Sequence, residues 1–320
     1  MTDRIQTAEA RLAARVAHWS AAMGRRVDPA PGQCTLRARL LDLPPPGQVS
    51  ANGSCRLIRA ADGWLAISLP RASDRDLVTA LLGEDCDTDD PWPALAAALP
   101  LRPAGLVVAQ GALLGLAIAR LAEAVPPAPP PVPTPTRPWD RPPRVLDLSS
   151  LWAGPLCGAL LAQAGCEVTK VETRQRPDTT QARAPAFDAV LNGAKKRWQM
   201  DATTPQDRAR LAQVMAGADV LITNARPRAL RGLAALCPPG CLWVAIRAHA
   251  DPDRIGFGDD CAVAGGLVDW QDGPRFLGDA LADPLTGLAA AAAAFRGLAL
   301  RQGGQVPVAL SSVAARAAHG

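Results

Sequence analysis

Residues 144–172 read RVLDLSSLWAGPLCGALLAQAGCEVTKVE, and this stretch decides the fold of the second half of the chain. An apolar run at 145–148 predicts a strand, a helix is expected to begin at Ala153, and a second strand is expected at 167–172 after a turn at Gly165. Two strands joined by a helix are typical of a parallel sheet, which binds ligands beyond the carboxyl ends of its strands. The connecting loop lacks the GxGxxG pattern of dinucleotide-binding enzymes, so a different ligand is indicated.

The same alternation of strands and helices continues to the end of the chain. Helices are predicted at 205–216 and 284–300. Further strands are predicted at 197–200, 219–223, 242–246 and 305–310. We therefore expect an α/β fold, with a parallel Rossmann-like domain over residues 144–320.

The first part of the chain predicts a smaller α+β domain over residues 1–125. Apolar residues at helical spacing indicate a helix over 1–24. The pair Asp62-Gly63 lies between two β-rich runs, at 55–60 and 64–69, which is a strong hairpin signal. Other elements expected here are a short strand at 34–40, a helix that starts after Ser73-Asp74, and helices at 92–99 and 105–123. Proline makes up more than half of residues 126–143, so this segment predicts an extended linker between the domains.

Composition argues against several classes of function. The net charge is +4, Tyr is absent, and no basic stripe with interleaved aromatic residues occurs, so we expect no nucleic-acid partner. The most apolar run, 105–119, contains Gln110 and is too short to span a bilayer, so no membrane partner is expected. The eight cysteines lack zinc-like spacing, which predicts no metal. No secretory signal is visible near Met1, so a reduced, cytoplasmic location is expected.

Lysine is rare in this arginine-rich chain, and its positions are informative. The three lysines are Lys170, Lys195 and Lys196, all in the second half. A compact ammonium group differs from a guanidinium in its shape and in its donors, so a specific use for lysine is one interpretation. The other interpretation is that the three lysines are scattered surface residues.

Six motifs in the second half carry a resemblance to a known family. They are VLDLSSLWAGP at 145, QAGCEVTKVE at 163, LNGAKKRWQMD at 191, ADVLITNARP at 218, ADPLTG at 282 and RQGGQVPVAL at 301. In this order and spacing they resemble the class III CoA-transferases, the superfamily that includes formyl-CoA and carnitine-CoA transferases and α-methylacyl-CoA racemase. The resemblance covers about residues 144–312 and implies a CoA-binding domain.

The first half resembles the same family less specifically. SANGSCRLIRAADGWLAISLP, from Ser50, is similar to the hairpin of the family's smaller domain. In the family that domain follows the CoA-binding domain, whereas here it precedes it. A rearranged domain order is therefore expected.

The resemblance implies that Asp283 is the catalytic nucleophile. In the family an aspartate attacks the acyl-CoA thioester, forms a mixed anhydride, and becomes an aspartyl-CoA thioester before CoA passes to an acceptor acid. The local sequence alone also fits a simpler role, in which Asp283 caps a helix that has Pro284 at its first position. Asp279 is the rival carboxylate.

The resemblance also implies a set of CoA-binding residues. These are Ser150, Leu151, Trp152, Ala153, Arg174, Asn192, Lys195, Asn224 and Arg231. Three departures from the family are visible. Ala225 replaces an aromatic residue, no glycine run matches the loop that covers the reacting aspartate, and Gly256-Phe257-Gly258 stands where the racemases carry a histidine base. Racemisation is therefore not expected.

The leading hypothesis is a CoA transferase that moves CoA from an acyl-CoA donor to a carboxylic acid, with coenzyme A as the only cofactor. Two alternatives stay open. One is a non-catalytic CoA-thioester-binding or regulatory subunit, and the other is a CoA-dependent lyase or isomerase. The family's interlocked dimers imply a homodimer here.

Overall fold

Six parallel strands organise the second part of the protein. The computed structural model describes residues 3–127, 141–228, 232, 235–238 and 240–320. The strands of the large sheet are β4 (Arg144–Asp147), β5 (Glu167–Thr173), β6 (Lys196–Met200), β7 (Val220–Thr223), β8 (Leu242–Arg247) and β11 (Gly304–Ala309). Their order is β11-β8-β7-β4-β5-β6, and every neighbouring pair is parallel. The predicted α/β fold and its six strands are confirmed.

The strand order reverses next to β4. From β4 the chain moves outward through β5 and β6, and then crosses to β7 on the other side of β4. The loops that follow β4 and β7 therefore diverge at the carboxyl edge of the sheet. Such a switch point is the usual ligand-binding crevice of an open α/β sheet.

Helices cover this sheet on both faces. Those of the second part are α7 (Ala153–Gln163), α8 (Thr180–Arg183), α9 (Pro185–Asn192), α10 (Pro205–Ala216), α11 (Gly258–Ala264), α12 (Ala282–Ala299) and α13 (Leu310–His319). Small residues let α12 lie close to α7: a Cβ on Gly287 would meet the carbonyl oxygen of Ala153 at 2.9 Å. This close approach brings the first turn of α12 toward the loop that follows β4.

The first helix of the chain, α1 (Asp3–Ala22), belongs to this larger core. Its buried residues Ile5, Val16 and Trp19 share one apolar cluster with residues of α7 and α12. The predicted small domain over 1–125 is thus divided between two cores, because the separate core of the first part is built from residues 58–118.

The segment after α1 is helical, so the predicted strand at 34–40 is wrong. A 3-10 turn, Gln33–Thr35, leads into α2 (Leu36–Leu40). The carboxylate of Glu9 on α1 accepts the backbone N–H groups of Gly32 and Gln33 at 2.6 and 2.8 Å. A side chain distant in sequence therefore satisfies the amide groups at the start of this helical segment.

The smaller core is built on a three-stranded antiparallel sheet. Its strands are β1 (Cys55–Ala60), β2 (Gly63–Ser68) and β3 (Ala117–Arg120), so the hairpin prediction is confirmed. Its helical elements are α3 (Ala72–Asp76), α4 (Val78–Leu82), α5 (Trp92–Ala98), a 3-10 turn at Leu99–Leu101 and α6 (Ala104–Leu114). The helix predicted at 105–123 is too long, because Gly115 adopts a left-handed conformation (φ 74°) that ends α6.

The two cores meet at α11. The hydroxyl of Ser68 on β2 donates to the Asp260 carboxylate at 2.7 Å, and Arg254 pairs with Glu123 at 2.6 Å. A short antiparallel pair, β9 (Val268–Trp270) and β10 (Pro274–Phe276), follows α11. Most of the predicted proline linker, residues 128–140, lies outside the described residues. Within the described ranges, no helix is both long and apolar enough to cross a bilayer.

Candidate active site

Asp283 lies in the first turn of α12. The helix begins at Ala282 and its N-cap residue is Leu281, so Pro284 occupies the third helical position. Asp283 therefore does not cap the helix, and the capping role that the local sequence allowed is wrong. Gly258, the first residue of α11, faces this carboxylate so closely that a Cβ there would overlap Oδ2 of Asp283. The space occupied by the Asp283 side chain thus depends on a glycine.

The two candidate carboxylates have different surroundings. Arg37 donates to both oxygens of the buried Asp279, with 2.7 Å between Nε and Oδ2. Asp283 is half-buried, and its carboxylate accepts no hydrogen bond from the residues that the structure describes. A carboxylate held by two charge-assisted hydrogen bonds is a poor nucleophile, because its lone pairs are already engaged. Asp283 is the carboxylate that keeps its oxygens available.

The charges around Asp283 favour its protonated form. Burial raises the pKa of the Asp283 carboxyl to about 7. The positive charge of Arg37 opposes this rise, and the negative charges of Asp279 and Asp260 add to it. Burial likewise raises the pKa of Asp259 to about 7 and that of Asp260 to about 6. Near neutral pH the carboxyl of Asp283 therefore exchanges readily between its acid and its nucleophilic form.

Arg37 also contacts the loop that follows β4. Its guanidinium lies 5.0 Å from the centroid of the Trp152 ring, within the range of a cation–π contact. The buried Trp152 packs edge-on against Phe187, and its indole N–H has no hydrogen-bond partner in the described structure. Arg37 therefore contacts both Trp152, one of the expected CoA-contacting residues, and Asp279, which lies four residues before Asp283.

Ser150 and Asn224 meet across the switch point. The backbone N–H of Ser150 donates to Oδ1 of Asn224 at 3.2 Å, and Nδ2 of Asn224 donates back to the Ser150 carbonyl at 2.8 Å. The next residue, Leu151, has a left-handed backbone (φ 70°) and an exposed side chain. Its N–H donates to Asp178 at 3.0 Å. The loop is thus fixed by two neighbouring segments, with Ala153 opening α7 directly behind it.

Lys195 and Asn192, which the resemblance assigns to CoA binding, are buried beneath this loop. The Lys195 ammonium donates to Asp147 at 2.7 Å, and to the Pro155 carbonyl and Asn192 Oδ1 at 2.8 Å each. These three hydrogen bonds use all three donors of the ammonium. Lys195 therefore ties the end of β4 to the first turn of α7, and Asn192 orients it.

Lys170 has a comparable position on β5. It is fully buried and donates to the Ser149 carbonyl at 2.9 Å and to Asp178 at 3.2 Å. Asp178 in turn holds the backbone of Leu151. Sequence reasoning did not assign Asp147, Asp178 or Lys170 to the site. The rarity of lysine in this chain was the available signal.

Exposed cations lie around the same edge of the sheet. Arg174 follows β5 and is exposed, while Arg231 lies outside the described residues. Arg226, two residues after Asn224, was not predicted as a site residue. Burial lowers its pKa, and Arg228, Arg71 and Arg176 lower it further. Several guanidinium groups from both parts of the chain therefore gather here, as a phosphate-binding region requires.

One group of described residues has the composition of a metal site. The ligand atoms of His249, Asp260 and Cys261 lie within 4.8 Å of one another, and all three residues are buried. The Cys261 thiol lies 3.3 Å from the Ala248 carbonyl, to which it donates. Burial raises its pKa well above the ordinary value and lowers that of His249 to about 3. The expected absence of a metal stays a prediction.

Comparison with known proteins gives a family match and several similar proteins. A family described as CoA-transferase family III matches residues 143–236. Succinyl-CoA–D-citramalate CoA-transferase of Chloroflexus aurantiacus is 30% identical over 181 residues, which are 50% of this chain and 45% of that protein. Formyl-CoA:oxalate CoA-transferase of Rhodopseudomonas palustris is 29% identical over 172 residues, or 45% of this chain and 39% of that protein. The match thus covers less than half the length of either relative.

A solved structure extends the likeness to the fold. A CAIB/BAIF family protein from Brucella suis superposes with a TM-score of 0.50 and 25% identity. The superposition covers 54% of this chain and 53% of that protein. It is consistent with the parallel sheet described above.

Proposed function

We propose that this protein, whose residues 143–236 match CoA-transferase family III, moves CoA from an acyl-CoA donor to a carboxylic acid, with Asp283 as the nucleophile. The observation that carries the proposal is the difference between two carboxylates four residues apart. Asp279 is held by Arg37, whereas Asp283 accepts no hydrogen bond from the described residues. The same Arg37 lies over the ring of Trp152, in the loop at the switch point.

The proposed reaction balances through three covalent intermediates on Asp283, which are two mixed anhydrides and one aspartyl-CoA thioester. A carboxylate oxygen of Asp283 attacks the thioester carbonyl, the C–S bond breaks, and CoA leaves as a thiolate. The thiolate then attacks the carbonyl carbon of Asp283, the anhydride C–O bond breaks, and the donor acid leaves as a carboxylate. The acceptor carboxylate next attacks the aspartyl-CoA thioester and releases the thiolate. Attack of that thiolate on the acceptor's acyl carbon forms the new acyl-CoA and restores the Asp283 carboxylate.

CoA is proposed to enter from the switch point. Ser150, Leu151, Trp152 and Ala153 would line the path of its thiol arm, and Asn224 holds that loop in place. Arg174, Arg226 and Arg231 are the candidate phosphate contacts. Lys195 and Asn192 act here as positioning residues, because their polar atoms are engaged inside the protein.

Trapping of the covalent intermediate tests this proposal. The protein is incubated with succinyl-CoA or formyl-CoA, treated with hydroxylamine, digested, and analysed by peptide mass spectrometry. We expect an aspartyl hydroxamate at Asp283 and none in Asp283→Asn. Asp269→Asn, on the exposed strand β9, is the matched control and should still form it.

Exchange of labelled CoA between the donor and added carboxylic acids provides the second readout. Modification at Asp279 instead of Asp283, or unchanged exchange in Asp283→Asn, contradicts the assignment of the nucleophile. Tight CoA binding with no hydroxamate and no exchange for any acid tested indicates a binding subunit. A family-like homodimer would be detected by light scattering in the same experiments.

A further inference from the structure

A cavity lies beside strand β11, and its wall does not include Asp283. It has a volume of about 910 Å³ and is lined by residues of α1, α12, α13 and the strand itself. Neither Asp283 nor any residue of the loop 150–153 contributes to its wall. The volume falls within the range of pockets that hold one small organic molecule, roughly 300–1,000 Å³.

The charged side chains of this cavity have one sign. Five arginines line it: Arg11, Arg15, Arg247, Arg296 and Arg316. No Asp or Glu is present among the described residues of the wall. Arg15 and Arg316 make no ion pair with any carboxylate that the structure describes.

Three helices direct positive charge toward the same place. Arg15 lies on α1, Arg296 on α12 and Arg316 on α13. Burial lowers the pKa of Arg15, and the charges of Arg316 and Arg296 lower it further. Like charges gathered in a partly buried place repel each other, and an anion bound between them would remove that cost.

The rest of the wall is apolar and built from small side chains. Ala289 and Ala293 of α12 are half-buried there, and Leu12, Val306 and Val313 complete the apolar surface. Alanine on two successive turns of α12 leaves open volume that larger residues would fill. An apolar wall combined with a few converging charged groups is the usual design of a small-molecule site.

We propose that this cavity binds a small amphiphilic carboxylate, with the carboxylate between Arg15 and Arg316 and the apolar body along α12. Arginine is suited to this because its guanidinium pairs with a carboxylate through two parallel hydrogen bonds. The site is separate from the proposed transferase centre and does not depend on it.

Titration calorimetry of the full chain tests the proposal with three probes. Decanoate carries both an apolar body and a carboxylate, decanol lacks the charge, and acetate lacks the body. We expect decanoate to bind at least about tenfold more tightly than either of the others, because decanol lacks the charge-assisted hydrogen bonds and acetate lacks the apolar contact.

Variants locate the bound probe. Arg316→Gln and Arg15→Gln should each weaken decanoate binding by about tenfold or more. Ala293→Leu should weaken decanoate and decanol alike by filling the wall. Arg275→Gln, on strand β10, is the matched control and should bind as the parent does. Thermal melts establish that each variant is folded. If an arginine variant does not fold, Ala293→Leu still tests where the probe binds.

Several outcomes would overturn the proposal. They are equal binding of decanol and decanoate, no decanoate binding up to its solubility limit, or unchanged affinity in both arginine variants. Asp283→Asn separates this proposal from the transferase function. Its decanoate affinity should stay that of the parent, and a loss there would place the probe in the transferase centre instead.

Discussion

Arg37 and Asp279 form a two-pronged ion pair, with 2.7 Å between Nε and Oδ2, although they lie 242 positions apart in the chain. Asp279 is 2% exposed, so the pair is shielded from water. The pairing occupies one carboxylate at the start of α12 and directs positive charge toward the next one, Asp283. It therefore affects the ionisation of the proposed nucleophile.

The first prediction concerns the pH dependence of CoA transfer. Asp283 attacks only as a carboxylate, and its pKa is raised to about 7. We expect kcat/KM to be low at pH 5.5, to rise through about pH 7 and to level off above it. Arg37→Gln should move this rise to higher pH, because it removes the charge that favours the ionised form. If kcat/KM stays constant between pH 5.5 and 8.5 with an acyl-CoA donor that reacts rapidly, the raised pKa is not that of the attacking group.

The second prediction is that Asp283→Asn stabilises the protein at alkaline pH. The Asp283 carboxyl has a pKa of about 7 in the folded protein, whereas the ordinary pKa of an aspartate carboxyl is 3.8. Folding therefore binds a proton between these values, and the parent loses stability as the pH rises from about 4 to 7. The amide avoids this loss. We expect a gain of about 1–3 kcal/mol at pH 8 and almost none near pH 4, measured by urea unfolding.

The matched variant in this comparison is Asp279→Asn. It breaks the ion pair with Arg37 and should destabilise the protein at pH 8 instead. If both substitutions destabilise the protein equally at pH 8, the raised pKa inferred for Asp283 is wrong.

The third prediction concerns the buried lysine beneath the loop. Lys195→Met leaves the fully buried Asp147 without its cation, which should cost about 3–5 kcal/mol of unfolding free energy. Lys196→Met, at the exposed neighbouring position, should change stability by less than about 0.5 kcal/mol. Urea unfolding of the two variants makes the comparison. Similar stabilities would argue against the structural role of the buried pair.

The fourth prediction tests the space around the nucleophile. Gly258→Ala places a methyl group against Oδ2 of Asp283 and 2.6 Å from the Ala280 carbonyl oxygen. We expect kcat to fall at least about a hundredfold, because displacement of a reacting group by about 1 Å has effects of this size. Gly105→Ala on α6 is the matched control, since a Cβ there meets nothing within 4 Å. Steady-state assays of both variants, after thermal melts, show whether the loss is local.

The parallel sheet was predictable because its signals are local. Each strand is a short apolar run, and Gly165 ends α7 in the left-handed conformation expected of a turn glycine. The end of α6 was predictable in the same way, since Gly115 stands just after the last helical residue. The helix prediction nevertheless extended beyond Gly115, because the apolar run continues into β3.

The environment of the site was less predictable, because it depends on contacts between distant segments. No spacing rule connects Arg37 with Asp279, or Glu9 with the amide groups of Gly32 and Gln33. Motif resemblance assigned Lys195 to a ligand, yet its partner Asp147 lies 48 residues earlier. A motif fixes which residue types recur, whereas burial decides whether a charge faces a substrate or the interior.

The position of α1 in the larger core has a topological consequence. Helix α1 belongs to the α/β unit, and the chain then leaves this unit to build the β1–β3 sheet and returns to it at β4. The unit that contains the three-stranded sheet is thus an insertion in the α/β unit, to which both of its ends are connected. The α/β unit must close a loop of roughly a hundred residues before α1 can dock on α12, a step that entropy slows. A chain break within this insertion would therefore separate α1 covalently from the rest of the α/β unit.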